Sequence, residues 1–358
     1  MTPNRKPEAV TLIMQPDHLG DILLSQPAVT LLRERLPNER LVAVVGPWSS
    51  EIVHLAWPVD EVVELAYPGF SRTARGAPWE PYQLLSAERD RLLPLRAIRA
   101  IVLRPDAWWA AWLARMIAPE VVGSDDARVA SFATSTVAVS SDAHASIRTY
   151  QIAAGAVGLD NESTSWSARP LGVPSSDSEG TAEALLCRCG ITKPFAVIHP
   201  GSGATVKEWP EHRWRALVAS LVAGGLPVIA TGSHAEREMV ERIVTGIAGA
   251  SSVAGKTDLR TLAALMGRAS IVLGCDSGPM HLAVATGTPT VHLFGPSDPV
   301  RYGPWGDPRR HRVIRAGWSC PRCGDLSPDR PRGCGCMLAI QPKQVIAVTM
   351  ELLDASQP

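Results

Sequence analysis

The sequence predicts an α/β protein built of two doubly wound domains with a central cleft at the carboxyl ends of their sheets. Three observations carry this. Short apolar runs alternate with amphipathic stretches in both halves, the pattern of parallel strands joined by helices. At 358 residues the chain exceeds what one core usually holds. A stretch rich in Ser, Pro, Asp and Gly, from Gly158 to Ser178, interrupts the pattern near the middle. The expected division is residues 1–172, residues 173–341, and a closing segment 342–358 placed to pack back on the N-terminal domain.

In the first half, Val10 to Met14 reads as a buried strand and Pro16 to Gly20 as a turn. Asp21 to Leu36 carries apolar residues at helical spacing and ends at Pro37-Asn38. Leu41 to Val45 and Glu61 to Leu65 are strands, and Ala87 to Arg99 is helical. Ala100 to Leu103 is a strand and Ala107 to Ile117 a helix. The second half restarts with a strand from Phe195 to His199, a helix from Glu211 to Ala223 and a strand from Leu226 to Ala230. Helices follow over Ala235 to Ile247 and Leu259 to Met266. A strand from Ala269 to Leu273 leads into a helix from about Pro279 to Ala285. Thr290 to Phe294 is the next strand, and Pro342 to Leu353 is the final helix.

The formal net charge is zero, which argues against bulk nucleic-acid binding. No run of about 18 apolar residues is present, and Met1 to Glu8 has no apolar signal core, so the expected location is cytoplasmic. Seven cysteines in a chain of this length do not make a disulfide scaffold.

The chemistry-bearing residues sit where strands end. Gly274-Cys275-Asp276-Ser277-Gly278-Pro279-Met280-His281 joins a buried strand to a helix start. Backbone N–H groups there are unpaired and partly positive, and Pro279 suits the first turn, so the site favours a phosphate. In His199-Pro200-Gly201-Ser202-Gly203-Ala204-Thr205-Val206-Lys207, small residues let the backbone approach an anion and Lys207 adds a mobile charge. The spacing fits neither a Walker A loop nor a GxGxxG fingerprint, and a plain strand-to-helix loop with a solvated lysine reads equally well. Glu236, after Thr231-Gly232-Ser233, is placed to accept from ribose hydroxyls or to be an exposed first-turn glutamate. Phe294-Gly295-Pro296-Ser297-Asp298-Pro299 is a further strand-end loop. In the first half, the Asp17-His18-Leu19-Gly20-Asp21 turn aims Asp21 at the sheet edge, where it serves as a helix cap or a general base.

Together with Leu23-Leu24-Ser25-Gln26-Pro27 and Lys207-Glu208-Trp209-Pro210, this ordered set resembles glycosyltransferase family 9, the lipopolysaccharide heptosyltransferases, over nearly the whole chain. The resemblance implies the GT-B fold, with two Rossmann-like domains, the acceptor in the N-terminal one and an ADP- or GDP-linked heptose in the C-terminal one. It implies transfer with inversion, and Asp21 matches the family's general base. The implied donor-binding residues are Ser202, Lys207, Glu236, Asp276, Ser277, Gly278 and His281. Gln15 stands where family members often carry a basic residue. No DxD-type acidic pair appears in the cleft loops, so neither a metal nor another cofactor is expected beyond the donor. The expected partners are the nucleotide sugar and a glycan or glycolipid acceptor such as lipopolysaccharide core. Peripheral contact with the inner membrane surface is compatible with such an acceptor. The same fold acting on a secondary metabolite or surface polysaccharide, and a non-catalytic nucleotide-sugar-binding partner, are the alternative readings.

Two other features are set beside this. Cys320, Cys323, Cys334 and Cys336 follow a C-x2-C-x10-C-x-C spacing, which suits reduced thiols in a packed tail or a structural zinc. Trp108, Trp109 and Trp112 lie in an apolar helix whose place in the alternation favours core packing over contact with a bilayer.

Overall fold

Among the residues described in a computed structural model (9–70, 77, 79–159, 176–191, 194–318 and 334–355), two parallel six-stranded sheets form. The first comprises β1 (Val10–Gln15), β2 (Arg40–Val45), β3 (Glu61–Glu64), β4 (Arg99–Val102), β5 (Glu120–Ser124) and β6 (Ser135–Val137), ordered β3-β2-β1-β4-β5-β6. The second comprises β7 (Ala196–His199), β8 (Val228–Ala230), β9 (Ala250–Ser252), β10 (Ile271–Cys275), β11 (Thr290–Phe294) and β12 (His311–Arg315), ordered β12-β11-β10-β7-β8-β9. Numbered within its own unit, each sheet has the same order. The chain reverses its direction of travel between β1 and β4 and between β7 and β10. Loops leaving such switch points form the crevice in which doubly wound sheets bind ligands.

The chain divides into two units, Met1–Ser167 and Ala168–Pro358. Each has its own core. In the first, β1, β2 and β4 pack with the helix Trp108–Ile117 through Leu12, Met14, Val44, Val102, Leu113 and Ala114. In the second, β7, β8 and β10 pack with the helix Glu211–Ala223 through Ile198, Ala230, Leu273, Trp214 and Leu217. The sequence reading expects the closing helix to pack back on the first unit. Its buried residues Val345 and Leu352 join the second unit's core.

Several elements differ from expectation for identifiable reasons. The helix expected over Asp21 to Leu36 is two helices, Leu19–Leu24 and Gln26–Arg35. Pro27 has no N–H to donate to the preceding turn, so the ladder breaks at Ser25. The Ser25 hydroxyl donates to the Asp21 carbonyl at 2.8 Å, which closes the first helix. The helix expected over Ala87 to Arg99 lies at Glu80–Leu92, started by Pro81 and stopped before Pro94. Strands β5, β6, β9 and β12 are short or mix polar with apolar residues, so their patterns are weak. Trp109 is buried as expected, whereas Trp108 is exposed and stacks on half-buried Trp112. No helix among the described residues is long and apolar enough to cross a membrane.

Candidate active site residues in the two units

In the second unit, the loops leaving β7, β10 and β11 converge on one carboxylate. Asp276, buried just beyond β10, accepts from Lys207 Nζ at 2.9 Å and from Ser297 Oγ at 2.5 Å. Ser202 Oγ donates to the Asp276 carbonyl at 3.2 Å. Lys207 ends a short 3-10 turn, Thr205–Lys207, whose Val206 is buried and anchors the loop. The Lys207 ammonium is thus fixed while part of its surface remains accessible. Asp276 acts here as the lysine's anchor, a role that its place beside the phosphate-loop motif did not reveal.

Ser277 occupies the N-cap position of the helix Gly278–Ala285 without a side-chain capping bond, and Pro279 lies in the first turn. The Ser277 hydroxyl is buried and has no hydrogen-bond partner among the described residues. An unpaired hydroxyl, a helix start and an anchored ammonium are groups that can receive an anion. His281 lies further along that helix. It is buried, stacked on Trp305 with ring centroids 5.8 Å apart and tilted against His292 at 6.3 Å.

Glu236 follows β8. Its carboxylate accepts from the Ser233 N–H at 2.7 Å and lies over Gly201. A Cβ on Gly201 would meet Glu236 Oε1 at 1.9 Å, so a larger residue there would push this carboxylate aside. Buried His199 binds Thr231 Oγ1 through Nδ1 at 3.0 Å, and Thr231 Oγ1 donates to the Ile198 carbonyl. That leaves the ring protonated at Nδ1. Burial lowers the His199 pKa, opposed by the charge of Glu236, so the ring is held neutral.

In the first unit, Asp21 lies in the first turn of the helix Leu19–Leu24, whose N-cap position is His18. Asp21 is therefore not the cap, and its half-buried side chain is placed at the carboxyl end of β1. Gln15, at the end of β1, donates to Ser25 Oγ at 3.3 Å and ties the strand to the helix junction.

The sequence reading gives Asp17 no role of its own and does not single out Arg104 or Asp106. Asp17 is buried, its carbonyl accepting from Ser49 Oγ at 2.6 Å and Trp48 Nε1 at 3.1 Å. Its carboxylate pairs with Arg104, from the loop after β4. Arg104 Nε also donates to Asp106 at 2.5 Å, and its guanidinium lies 5.0 Å over the Phe70 ring. The pKa of Asp17 is raised to about 7, first by burial and then by the charge of Asp21, against the lowering effect of Arg104. The signal available in sequence was the Arg104-Pro105-Asp106 run just past a strand end on the other side of β1.

Of the four spaced cysteines, Cys320 and Cys323 lie outside the described residues. Cys334 and Cys336 are buried with their sulfurs 2.6 Å apart. No cluster of three or more metal-ligating side chains occurs among the described residues.

Comparison with known proteins gives a consistent result. The family model for glycosyltransferase family 9 (heptosyltransferase) matches residues 94–323. Lipopolysaccharide heptosyltransferase 1 of Pseudomonas aeruginosa is 27% identical over 324 residues, covering 87% of this chain and 85% of that protein. The crystal structure of a family 9 glycosyltransferase from Veillonella parvula superposes with a TM-score of 0.76 at 21% identity, covering 97% and 98% of the two chains. The E. coli heptosyltransferase WaaC, solved with ADP-2-deoxy-2-fluoro heptose, gives 0.71 at 21% identity, covering 96% and 99%.

Proposed function

The chain belongs to glycosyltransferase family 9, the heptosyltransferase family, and on that premise we propose that it is an inverting, metal-independent enzyme moving heptose from an ADP-linked donor to lipopolysaccharide core. The observation that carries the donor half of this reading is the convergence of Ser202, Lys207 and Ser297 on Asp276, beside the unpaired Ser277 hydroxyl at a helix start. Similarity to a protein solved with an ADP-heptose analogue favours ADP over GDP.

In the proposed reaction, Asp21 takes the proton from the acceptor hydroxyl as its oxygen attacks the anomeric carbon. The bond from that carbon to the β-phosphate oxygen breaks on the opposite face, which inverts the centre. Negative charge accumulates on the departing ADP. Lys207, Ser277 and the start of the helix Gly278–Ala285 are placed to stabilise it, the task a metal ion performs in other enzymes. Glu236 is assigned to the ribose hydroxyls, with Gly201 leaving the room it needs. His281 is assigned to holding the helix start through its packing on Trp305.

A glycolipid acceptor brings the enzyme to the inner membrane surface. We assign that contact to the aromatic side chains that the first unit exposes, Trp79 (62% exposed), Tyr82 (57%) and Trp108 (39%). Such rings are amphipathic and partition to membrane interfaces.

The test of the donor assignment is calorimetric titration with ADP, GDP, UDP and dTDP in the absence of metal. ADP is expected to bind selectively. A preference for UDP or dTDP would overturn the heptose assignment.

A further inference from the structure

We propose that Ser297 is a positioning residue for the donor: through Asp276 it keeps the Lys207 ammonium free to face the diphosphate. The inference rests on the reading of Lys207 as a phosphate-binding group. The Asp276 N–H donates to the Leu293 carbonyl at 3.1 Å, and the Asp276 carbonyl accepts from Ser202 Oγ at 3.2 Å. The backbone of Asp276 is thus tied to β11 and to the loop after β7, and only its side-chain torsions remain to be set. Ser297 sets them from the loop after β11. That loop is held on both sides of the serine. Gly295 lies against buried Met337, where a Cβ would meet Cγ at 2.5 Å, and Pro296 is buried. On the other side, the Asp298 carboxylate accepts from the Val300 N–H at 2.9 Å.

Ser297 Oγ and Lys207 Nζ bind the same carboxylate oxygen, Oδ2 of Asp276, at 2.5 and 2.9 Å. A carboxylate oxygen offers about two lone-pair sites, and an ammonium carries several N–H donors. With both sites of Oδ2 filled, the carboxylate takes one N–H of Lys207 and leaves the others for a phosphate. The Lys207 side chain keeps part of its surface accessible for that contact. Without the serine hydroxyl, the carboxylate is free to turn and grip the ammonium with both oxygens. It then competes with the diphosphate for the same charge. Loss of Ser297 therefore acts on the nucleotide by way of Lys207, and Ser297 itself need not touch the donor.

The test is calorimetric titration of ADP against the wild type, Ser297→Ala, Ser297→Thr, Lys207→Ala and the variant carrying both Ser297→Ala and Lys207→Ala, with melting measured alongside. Ser297 is a half-buried loop residue, so its truncation opens no core cavity and the Ala variant is expected to fold. Ser297→Ala is expected to weaken ADP binding roughly three- to tenfold. Ser297→Thr, which keeps the hydroxyl, is expected to bind ADP as the wild type does. In the Lys207→Ala background the serine change is expected to add less than about twofold, because its route to the nucleotide is gone. Unchanged affinity in Ser297→Ala overturns the proposal. So does an equal loss in both backgrounds, the signature of a loop that only supports the fold. If Lys207→Ala binds ADP too weakly to measure, Ser297→Thr decides, and affinity there as low as in Ser297→Ala is equally fatal. Full ADP affinity in Lys207→Ala defeats the phosphate-site reading itself. A weakened Lys207→Ala beside an unaltered Ser297→Ala defeats only the role given to Ser297.

Discussion

Asp21→Asn is expected to abolish sugar transfer while leaving ADP affinity unchanged. The substitution preserves size and shape, so the helix Leu19–Leu24 keeps its geometry; the Ser25 hydroxyl bonds the backbone carbonyl of residue 21, which the change does not touch. What is lost is the capacity to take a proton, worth roughly 10²–10⁴ in rate for a positioned base. The residues proposed to bind the donor belong to the second unit, on loops leaving a different sheet, so nucleotide binding has no reason to follow the loss. Steady-state turnover and calorimetry on the same preparation check both halves. Retained turnover would remove Asp21 from the chemistry.

Lys207→Ala has the second largest expected effect, and it acts on binding. A charged hydrogen bond to phosphate contributes about 1.5–3 kcal/mol, which corresponds to roughly 10- to 150-fold in affinity. The loss is expected at the upper end, because the ammonium also neutralises Asp276 at 2.9 Å. Without it, a buried carboxylate remains with Ser297 Oγ at 2.5 Å and repels the diphosphate. Removing one partner of a buried pair also costs stability, by about 3–5 kcal/mol where burial is complete. Lys207 is partly exposed, so the cost here is smaller. Lowered thermal stability together with weakened ADP binding is the expected signature, measured by melting and by calorimetry. Unchanged affinity would take Lys207 out of the phosphate site.

The contrast between these residues and Asp17 shows where the sequence was readable. Strands β1, β2, β7, β10 and β11 are almost wholly buried and appear as continuous apolar runs, so the loops that leave them are easily placed. The assignment of Lys207, Asp276 and Ser202 to one donor site comes from the family resemblance carried by those loops. The contacts themselves were not readable: that Asp276 holds the lysine, 69 residues away in sequence, depends on β10 lying beside β7. Asp17 and Arg104, 87 residues apart in sequence, meet for the same reason, since β4 pairs with β1. The short edge strands β6 and β9, Ser-rich and partly exposed, carry no such signal, and the break at Ser25 was hidden inside an otherwise good helical pattern.

The most direct measurement is a transfer assay with ADP-heptose and heptose-deficient lipopolysaccharide core in excess chelator, following the product by mass spectrometry and its anomeric configuration by NMR. The account predicts acceptor extended by one heptose of inverted configuration, at a rate that added Mg²⁺ does not raise. Product of retained configuration, or turnover that appears only once Mg²⁺ is restored, would contradict it.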